Sequence, residues 1–344
     1  MATTKIQAAP QTAKRSFSAG SVISAIGRWI VRNRIYLIAF AIPAVLTYLA
    51  YALFGLYPFG EESVLCLDLN GQYVYYFEAL RDAFWGDGSI FYNWSRNLSG
   101  EFMGIIGYYL ASPFTLIVML LPEKFMLSSL LIMQLCKLGA AGATFNYFLQ
   151  KRRGVQPYPS LLFSTMYAMM AYGVIQLIDP MWLDGLVFLP LIMLGIEYLV
   201  DDGRRLNFII PLALMCVANF YIGYMICFFV ILYFLFYLCF GSAKKRKGYD
   251  YFTAFVRIAY SSVIALACAA FMLLPVYNAL KLGKFEFTDP DYSFRFQSFP
   301  LSKKLLENAQ ENGQTSSCEL ISVTRALIEQ NGDTVIPSVQ IQNE

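Results

Sequence analysis

The chain has 344 residues, a formal net charge of +3, and 58% hydrophobic against 14% charged residues. Soluble globular chains average about 45–50% apolar and about 25% charged residues, so this composition predicts an all-α polytopic membrane protein. The chain contains no histidine, which excludes Ser-His catalysis, imidazole bases and histidine-ligated metals. Its seven cysteines stand singly, and we interpret the five within apolar runs as packing residues.

The N-terminal segment, residues 1–34, carries six basic residues and no acidic residue. The positive-inside rule therefore predicts a cytoplasmic segment that leads into an uncleaved first span over 35–56. We expect the core to extend over 35–297. The remainder, 298–344, is rich in polar residues and is predicted to be an external tail with little packed structure.

Seven apolar runs are predicted to span the membrane: 35–56, 125–149, 159–178, 182–200, 206–222, 223–240 and 252–276. The basic loops around 151–153, 204–205 and 244–247 are predicted to be cytoplasmic.

An eighth apolar run, 103–121, breaks this pattern. An odd number of crossings must connect Leu56 outside with Lys151 inside, and this run is interrupted by Tyr108, Tyr109, Ser112 and Pro113. We predict a re-entrant or interfacial segment; an ordinary span that violates the charge rule is the alternative.

The segment 61–77 is the first carboxylate-bearing stretch after the first span, and we interpret it as the mouth of a membrane-embedded active site in the external loop 57–124. A short amphipathic interfacial helix is predicted from apolar residues that fall at helical spacing on one side: Tyr73, Tyr76, Phe77, Leu80 and Phe84. Asp68 precedes this helix and Gln72 lies in its first turn. A simple helix-capping role is the alternative for Asp68.

Lys137 lies in the middle of the second predicted span, where a lysine costs on the order of 2.5–3.5 kcal/mol. It must face a cavity or a partner, so we consider both a cation for a phosphate and an ion pair with an acid on a neighbouring span. The small residues 139–142 that follow predict close helix packing. Four further polar residues stand at the outer ends of later spans and either line one pocket with Asp68 or act as loop and cap residues: Asp179, Asp184, Asn219 and Tyr221.

Several of these residues belong to motifs with a family resemblance. The motifs are Asp68-x-x-x-Gln72-Tyr73, Gly104-x-x-Gly107-Tyr108-Tyr109-Leu110-x-Ser112-Pro113-Phe114, Lys137-x-Gly139-x-Ala141-Gly142, Leu189-Pro190-Leu191, Gly195-Ile196-Glu197 and Asn219-Phe220-Tyr221-x-Gly223-Tyr224. Their order over about 58–297 resembles the bacterial YfhO-type membrane proteins, which are similar to C-class (GT-C) glycosyltransferases.

The resemblance implies a GT-C-like core of about seven transmembrane helices whose large first external loop carries interfacial helices and a catalytic acid. It implies transfer of a sugar from a polyprenyl-phosphate carrier to a cell-envelope polymer such as lipoteichoic acid, on the outer face of the bacterial plasma membrane. Asp68 matches the catalytic acid. The residues predicted to bind substrate are Gln72, Tyr73, Tyr108, Tyr109, Lys137, Asp184, Asn219 and Tyr221.

The leaving phosphate requires a cation. Lys137, Arg81, Arg96 and a divalent metal are the candidates, and no other cofactor is expected. Membrane lipid is an expected partner and nucleic acid is not. Members of the family are usually longer, and 298–344 does not resemble their continuation, which indicates a C-terminally truncated chain.

Two other functions fit parts of the sequence. A transporter or flippase of a lipid-linked or small anionic solute would account for a buried Lys137 and for interrupted helices, although the two halves of the chain do not match as repeats. A non-catalytic membrane scaffold would account for the shortened chain.

Overall fold

The computed structural model describes residues 19–63, 65–93, 100–241 and 248–283. The predictions for residues 1–18, Arg96, the basic loop 244–247 and the tail 298–344 lie outside the described residues. Within those ranges the chain is helical apart from loops and one two-stranded antiparallel ribbon, β1 (Tyr92–Asn93) with β2 (Gly100–Glu101). The predicted all-α class is confirmed.

Five of the described helices are long and apolar enough to cross a membrane. They are α1 (Ala19–Leu53), α5 (Met126–Phe148), α8 (Leu183–Asp202), α10 (Phe220–Phe236) and α11 (Gly248–Gly283). The chain is therefore a polytopic membrane protein. The first helix begins well before the predicted start at residue 35, because the basic stretch before it is also helical.

The other two predicted spans are occupied by shorter helices. The region 159–178 holds α6 (Pro157–Ala168) and α7 (Ala171–Ile175), separated by a turn. The region 206–222 holds α9 (Leu206–Ala218), which at 1.5 Å per residue is about 20 Å long, against about 30 Å for the hydrocarbon core. Helices thus occupy all seven predicted positions, but two positions lack a helix of full spanning length.

The break between α9 and α10 lies at Asn219, not at the predicted boundary after residue 222. Asn219 has extended backbone angles (φ −157°, ψ 113°), and its Oδ1 accepts a hydrogen bond of 2.8 Å from the backbone N–H of Ile222. It is therefore a helix N-cap inside an otherwise continuous apolar run.

The run 103–121 consists of three short pieces: α3 (Met103–Ile105), a π-helical turn (Ile106–Leu110) and α4 (Thr115–Leu120). The predicted interruption at Ser112 and Pro113 is present between the last two pieces, and none of the pieces is long enough to span. A Cβ on Gly104 would lie 2.8 Å from the Ala279 Cβ, and one on Gly107 would collide with Val276. The two glycines therefore let this segment pack closely against α11.

The small residues of α5 pack against α1, as predicted. A Cβ added to Gly139 would lie 2.8 Å from the Phe40 carbonyl oxygen, and one added to Gly142 would lie 2.5 Å from that of Ala39. The largest apolar cluster lies elsewhere, among α8, α9, α10 and α11.

An ionic network joins the end of α5 to α8 and α10. The fully buried Glu197 accepts hydrogen bonds from Arg152 Nε (2.8 Å), Arg153 Nη2 (2.6 Å) and the Tyr233 hydroxyl (2.5 Å). Arg152 also pairs with Asp201. Arg152 and Arg153 of the basic motif therefore join helices as well as forming a charged flank.

Candidate functional site

The predicted amphipathic helix is present as a π-helical turn (Leu69–Tyr73) followed by α2 (Val74–Trp85). Tyr73, Phe77 and Leu80 form its buried face, as predicted from their spacing. Phe84, predicted to lie on the same face, is 63% exposed.

Arg81, a candidate cation for the leaving phosphate, instead contacts the C-terminal end of α4. Its Nη1 donates to the backbone carbonyls of Val118 (2.7 Å) and Leu121. A cation at the carbonyl end of a helix is favourably placed. Arg81 therefore fixes α2 to α4 through Nη1, and its Nε and Nη2 take no part in this contact.

Asp68 stands at the N-cap position of the π-helical turn, but its carboxylate makes no capping hydrogen bond. Its Oδ1 accepts from Gln72 Nε2 (3.2 Å), and Gln72 Oε1 accepts from the Tyr109 hydroxyl (3.1 Å). The capping alternative is therefore not observed. Asp68 is exposed, so its carboxylate is held by one amide contact and remains accessible.

The residue before Asp68 has an uncommon backbone conformation. Leu67 has φ +49°, in the left-handed region that non-glycine residues rarely adopt. Such conformations cost of order 1–3 kcal/mol and cluster at functional sites. At this position the conformation sets the direction in which the chain enters the turn that carries Asp68.

Four tyrosine rings pack around this carboxylate–amide pair. The Tyr109 ring centroid lies 5.1 Å from that of Tyr73, 4.9 Å from Tyr76 and 4.7 Å from Tyr108. These are the separations of edge-to-face and tilted aromatic pairs. Burial, and then the neighbouring tyrosines and Asp68, raise the pKa of Tyr109 to about 12, so its hydroxyl stays a proton donor to Gln72 at neutral pH.

Later helices contact the tyrosine cluster from the other side. Asn219 is fully buried, and its Nδ2 donates to the Tyr108 carbonyl oxygen (2.7 Å). Tyr221 lies 6.0 Å from Tyr108, ring to ring, and is 37% exposed. Asn219 thus positions the Tyr108 backbone, and Tyr221 extends the aromatic surface.

A second carboxylate, Asp179, lies close enough to Asp68 for their charges to interact. Burial raises the pKa of Asp179, and the negative charge of Asp68 raises it further. Burial also raises the pKa of the Tyr73 hydroxyl, with Asp179 as the next cause. No hydrogen bond of ordinary geometry joins the Tyr73 hydroxyl to another described group, so we take its relation to Asp179 as electrostatic.

We refer to Asp68, Gln72, Tyr73, Tyr108, Tyr109 and Asp179 as the Asp68 cluster. Asp179 was recognised from the sequence as an outer-end residue but was not placed among the substrate-binding residues, because nothing in its local pattern separates it from an ordinary loop acid. Only the fold places it beside residues more than 70 positions earlier in the chain.

Lys137 and Asp184 form a separate buried group. Lys137 Nζ lies 2.7 Å from Asp184 Oδ2 and donates to the Pro180 carbonyl oxygen at 2.8 Å. Asp184 Oδ1 accepts from the Ser112 hydroxyl at 2.8 Å. Of the two interpretations open for Lys137, the structure thus has the ion pair between neighbouring helices. Both side chains are bonded to other protein groups. Through these contacts the pair holds α5, α8 and the run 103–121 together.

Across the described residues, no group of three or more carboxylates and cysteines is arranged to hold a metal ion. Asp68 and Asp179 are oxygen donors of the kind that Mg²⁺ prefers, but as a pair they do not make a complete protein-derived site.

Comparisons with known proteins identify the family. An uncharacterized protein, YfhO of Bacillus subtilis (strain 168), is 27% identical over 168 residues, which cover 43% of this chain and 19% of that protein. The match thus spans only a small part of that relative's length. No solved structure matches the chain. The family model described as bacterial membrane protein YfhO matches residues 39–310, which include the Asp68 cluster and every described helix from α2 to α11, and the chain therefore belongs to the YfhO family.

Proposed function

We propose that this protein is a membrane glycosyltransferase that moves a sugar from a polyprenyl-phosphate carrier to a hydroxyl of a cell-envelope polymer, such as lipoteichoic acid. The observation that carries the proposal is the accessible Asp68 carboxylate, held by Gln72 next to the tyrosine rings. A carboxylate and aromatic faces at one place suit a substrate with hydroxyls and apolar ring faces.

In the proposed reaction, Asp68 accepts the proton of the incoming hydroxyl as that oxygen bonds to the anomeric carbon. The bond between the anomeric carbon and the phosphate oxygen breaks, and its electron pair leaves with the polyprenyl phosphate. Gln72 orients the carboxylate, and Tyr109 orients Gln72 through its hydroxyl. Asp68, Gln72 and Tyr109 are thus connected by two successive hydrogen bonds.

The leaving phosphate is stabilised by a cation in the proposed reaction. Lys137 is buried in its ion pair with Asp184, which does not favour that role. Arg81 is held at backbone carbonyls of α4 through Nη1 alone, so it stays a candidate through its other nitrogens. The other candidates from the sequence are Arg96, which lies outside the described residues, and a divalent metal. The proton transfer to Asp68 is independent of which cation is used.

The alternative function is movement of a lipid-linked or small anionic solute. The broken helices around Ser112 and at Asn219 favour it, because transporters bind substrates where helices are discontinuous. Two assays on the same proteoliposomes separate the two functions. We expect radiolabelled sugar to pass from a polyprenyl-phosphate donor to an added glycerol-phosphate polymer; donor flipping or solute uptake without transfer would favour the alternative.

We further propose that the Asp68 cluster faces the outside of the bacterial plasma membrane and that the N-terminus is cytoplasmic. In a variant that retains only Cys66, which is exposed and two residues from Asp68, a membrane-impermeant maleimide is expected to react in intact cells. In a cysteine-free variant with Lys151→Cys, also at an exposed position, we expect reaction only after permeabilisation. Labelling of position 151 in intact cells would contradict this topology and the non-crossing interpretation of 103–121.

A further inference from the structure

The turn that carries Asp179 is held from inside the protein by two polar side chains of α5. Gln134 is fully buried, and its Nε2 donates to the Leu177 carbonyl oxygen at 2.6 Å. Three residues later, on the same side of the helix, Lys137 Nζ donates to the Pro180 carbonyl oxygen at 2.8 Å. The two carbonyls lie on either side of Asp179 in the sequence. One face of α5 therefore fixes the backbone both before and after Asp179.

The Gln134 amide is itself oriented by another helix. Its Oε1 accepts a hydrogen bond of 3.4 Å from the hydroxyl of Tyr51 in α1, within the protein interior. The oxygen of the amide is thereby directed to α1 and its nitrogen to Leu177. Without the amide, the buried Leu177 carbonyl would lose this donor. The turn ahead of Asp179 would then be held less firmly.

On its other side the turn packs against the first external loop. Trp182 contacts the apolar group that includes Leu69 and Tyr73, and the Asp179 carboxylate is close enough to Asp68 for their charges to interact. Asp179 is half-buried, and among the residues that the structure describes no basic side chain forms an ion pair with it. Asp179 therefore offers a hydrogen-bond acceptor beside Asp68 that no protein cation neutralises.

The chemistry at this position favours a hydroxyl over a phosphate as the bound group. Two neighbouring carboxylates repel a phosphate, whereas both accept hydrogen bonds from hydroxyls. The tyrosines of the Asp68 cluster lie close to both carboxylates, and aromatic rings suit the apolar face of a sugar. The bound group that fits Asp179 is thus the sugar of the donor, while the carrier phosphate lies farther from the carboxylates.

We propose, on the basis of the transferase function proposed above, that Asp179 binds the sugar of the donor by accepting a hydrogen bond from one of its hydroxyls. Gln134 is a positioning residue that holds Asp179 beside Asp68. The two carboxylates thus have different partners: Asp68 takes the proton of the incoming hydroxyl, and Asp179 contacts the group that is transferred. Gln134 is buried and acts through the Leu177 carbonyl.

Equilibrium binding separates recognition of the sugar from recognition of the carrier. Native mass spectrometry compares a polyprenyl-phosphate hexose with polyprenyl phosphate that has no sugar. Asp179→Ala removes both acceptor oxygens, and we expect it to weaken binding of the sugar-bearing lipid by about 10–100-fold, as for a hydrogen bond to a charged group. We expect no weakening for the bare carrier. Equal weakening for the two lipids, or none for either, would overturn the role of Asp179.

Transfer kinetics give a second measurement. Asp179→Ala is expected to raise the KM for the donor by a similar factor while kcat changes little, because the contact is made in the ground state as well as in the transition state. A fall in kcat of about 10²-fold or more with an unchanged KM would make Asp179 the base and overturn its binding role. A changed requirement for a divalent cation, with unchanged discrimination between the two lipids, would make it a metal ligand and would also overturn that role.

Gln134→Met tests the positioning role, because it keeps the length of the side chain and removes both of its hydrogen bonds. We expect about 3–10-fold weaker binding of the sugar-bearing lipid when Asp179 is present, and no further weakening when Gln134→Met is added to Asp179→Ala. An effect of the same size in both backgrounds would show a general loosening of the fold and overturn the positioning role.

Asn146→Leu is the matched control. Asn146 is also a fully buried amide of α5, but its Nδ2 donates to the Ser160 hydroxyl of α6 at 3.0 Å. We expect this variant to bind both lipids as the unaltered protein does. If the unaltered protein transfers sugar and Asp179→Ala does so with the same KM, Asp179 does not bind the sugar, although the transferase function stands. If the unaltered protein neither binds the sugar-bearing lipid nor transfers sugar, the transferase function fails, and the role of Asp179 fails with it.

Discussion

Replacing Asp68 by asparagine is expected to lower the rate of sugar transfer by about 10²–10⁴-fold, the usual effect of removing a general base. The asparagine keeps the shape of the side chain and an oxygen that can accept from Gln72, but it does not take up the proton of the incoming hydroxyl. Because Asp68 is exposed and has one amide contact, the folded protein should be as stable as the unaltered one. The measurement is sugar transfer from a polyprenyl-phosphate donor by both proteins in the same lipid.

Glu61→Gln is the control for this experiment. Glu61 is an exposed acid of the same loop, so its replacement changes the net charge by the same amount, and we expect full activity. If Asp68→Asn keeps more than about a tenth of the rate, which lies outside the expected range, Asp68 is not the base. Asp179, the other carboxylate of the cluster, would then be tested next. Absence of transfer by the unaltered protein would count against the proposed function itself.

The membrane architecture was predictable because it depends on composition and on long apolar runs, which a single sequence displays directly. The amphipathic pattern around Tyr73, Phe77 and Leu80 likewise predicted a buried helix face that the structure has. The interruption near Ser112 and Pro113 was visible as polar and helix-breaking residues within an apolar run. Each of these signals is local in sequence.

The features that sequence did not predict depend on contacts between distant segments. The break between α9 and α10 was predicted, but a few residues too late, because hydropathy does not show that Asn219 ends one helix and caps the next. Arg81 contacts carbonyls 37 and 40 residues later. Asp179 lies near the other residues of the Asp68 cluster because Met181 and Trp182, which follow it, pack with Leu69 and Tyr73. Contacts between such distant segments leave no periodic pattern in the sequence from which they could be predicted.

Lys137 illustrates the difference between recognising an unusual residue and assigning its role. Its cost in a membrane indicated a partner, but the choice between an anionic ligand and a protein acid required the position of Asp184, 47 residues away. The structure favours the protein acid. This changes the expected consequence of removing the lysine from a loss of activity alone to a loss of stability.

Lys137→Met is expected to destabilise the protein by about 3–5 kcal/mol, because it leaves the fully buried Asp184 without its counter-ion. Unfolding in mixed micelles with increasing dodecyl sulfate, followed by circular dichroism, measures the loss. The double variant Lys137→Met/Asp184→Leu removes both charges and is expected to recover most of the stability, since a buried ion pair can often be replaced by apolar residues at little cost. The double variant should still be about 1–3 kcal/mol less stable than the unaltered protein, because the Ser112 hydroxyl loses Asp184 as its hydrogen-bond acceptor.

The comparison of single and double variants distinguishes the ion pair from a ligand-binding cation. If the pair is structural, the two substitutions are strongly non-additive, and the double variant is more stable than Lys137→Met alone. A Lys137→Met protein that unfolds like the unaltered one but has lost sugar transfer would contradict this account and restore the role of Lys137 as a cation for the phosphate. Asp184 also connects the ion pair to the run 103–121 through Ser112. We therefore expect a weakened pair to loosen the segment that carries Tyr108 and Tyr109. A secondary fall in sugar transfer should follow the loss of stability and be reversed in the double variant.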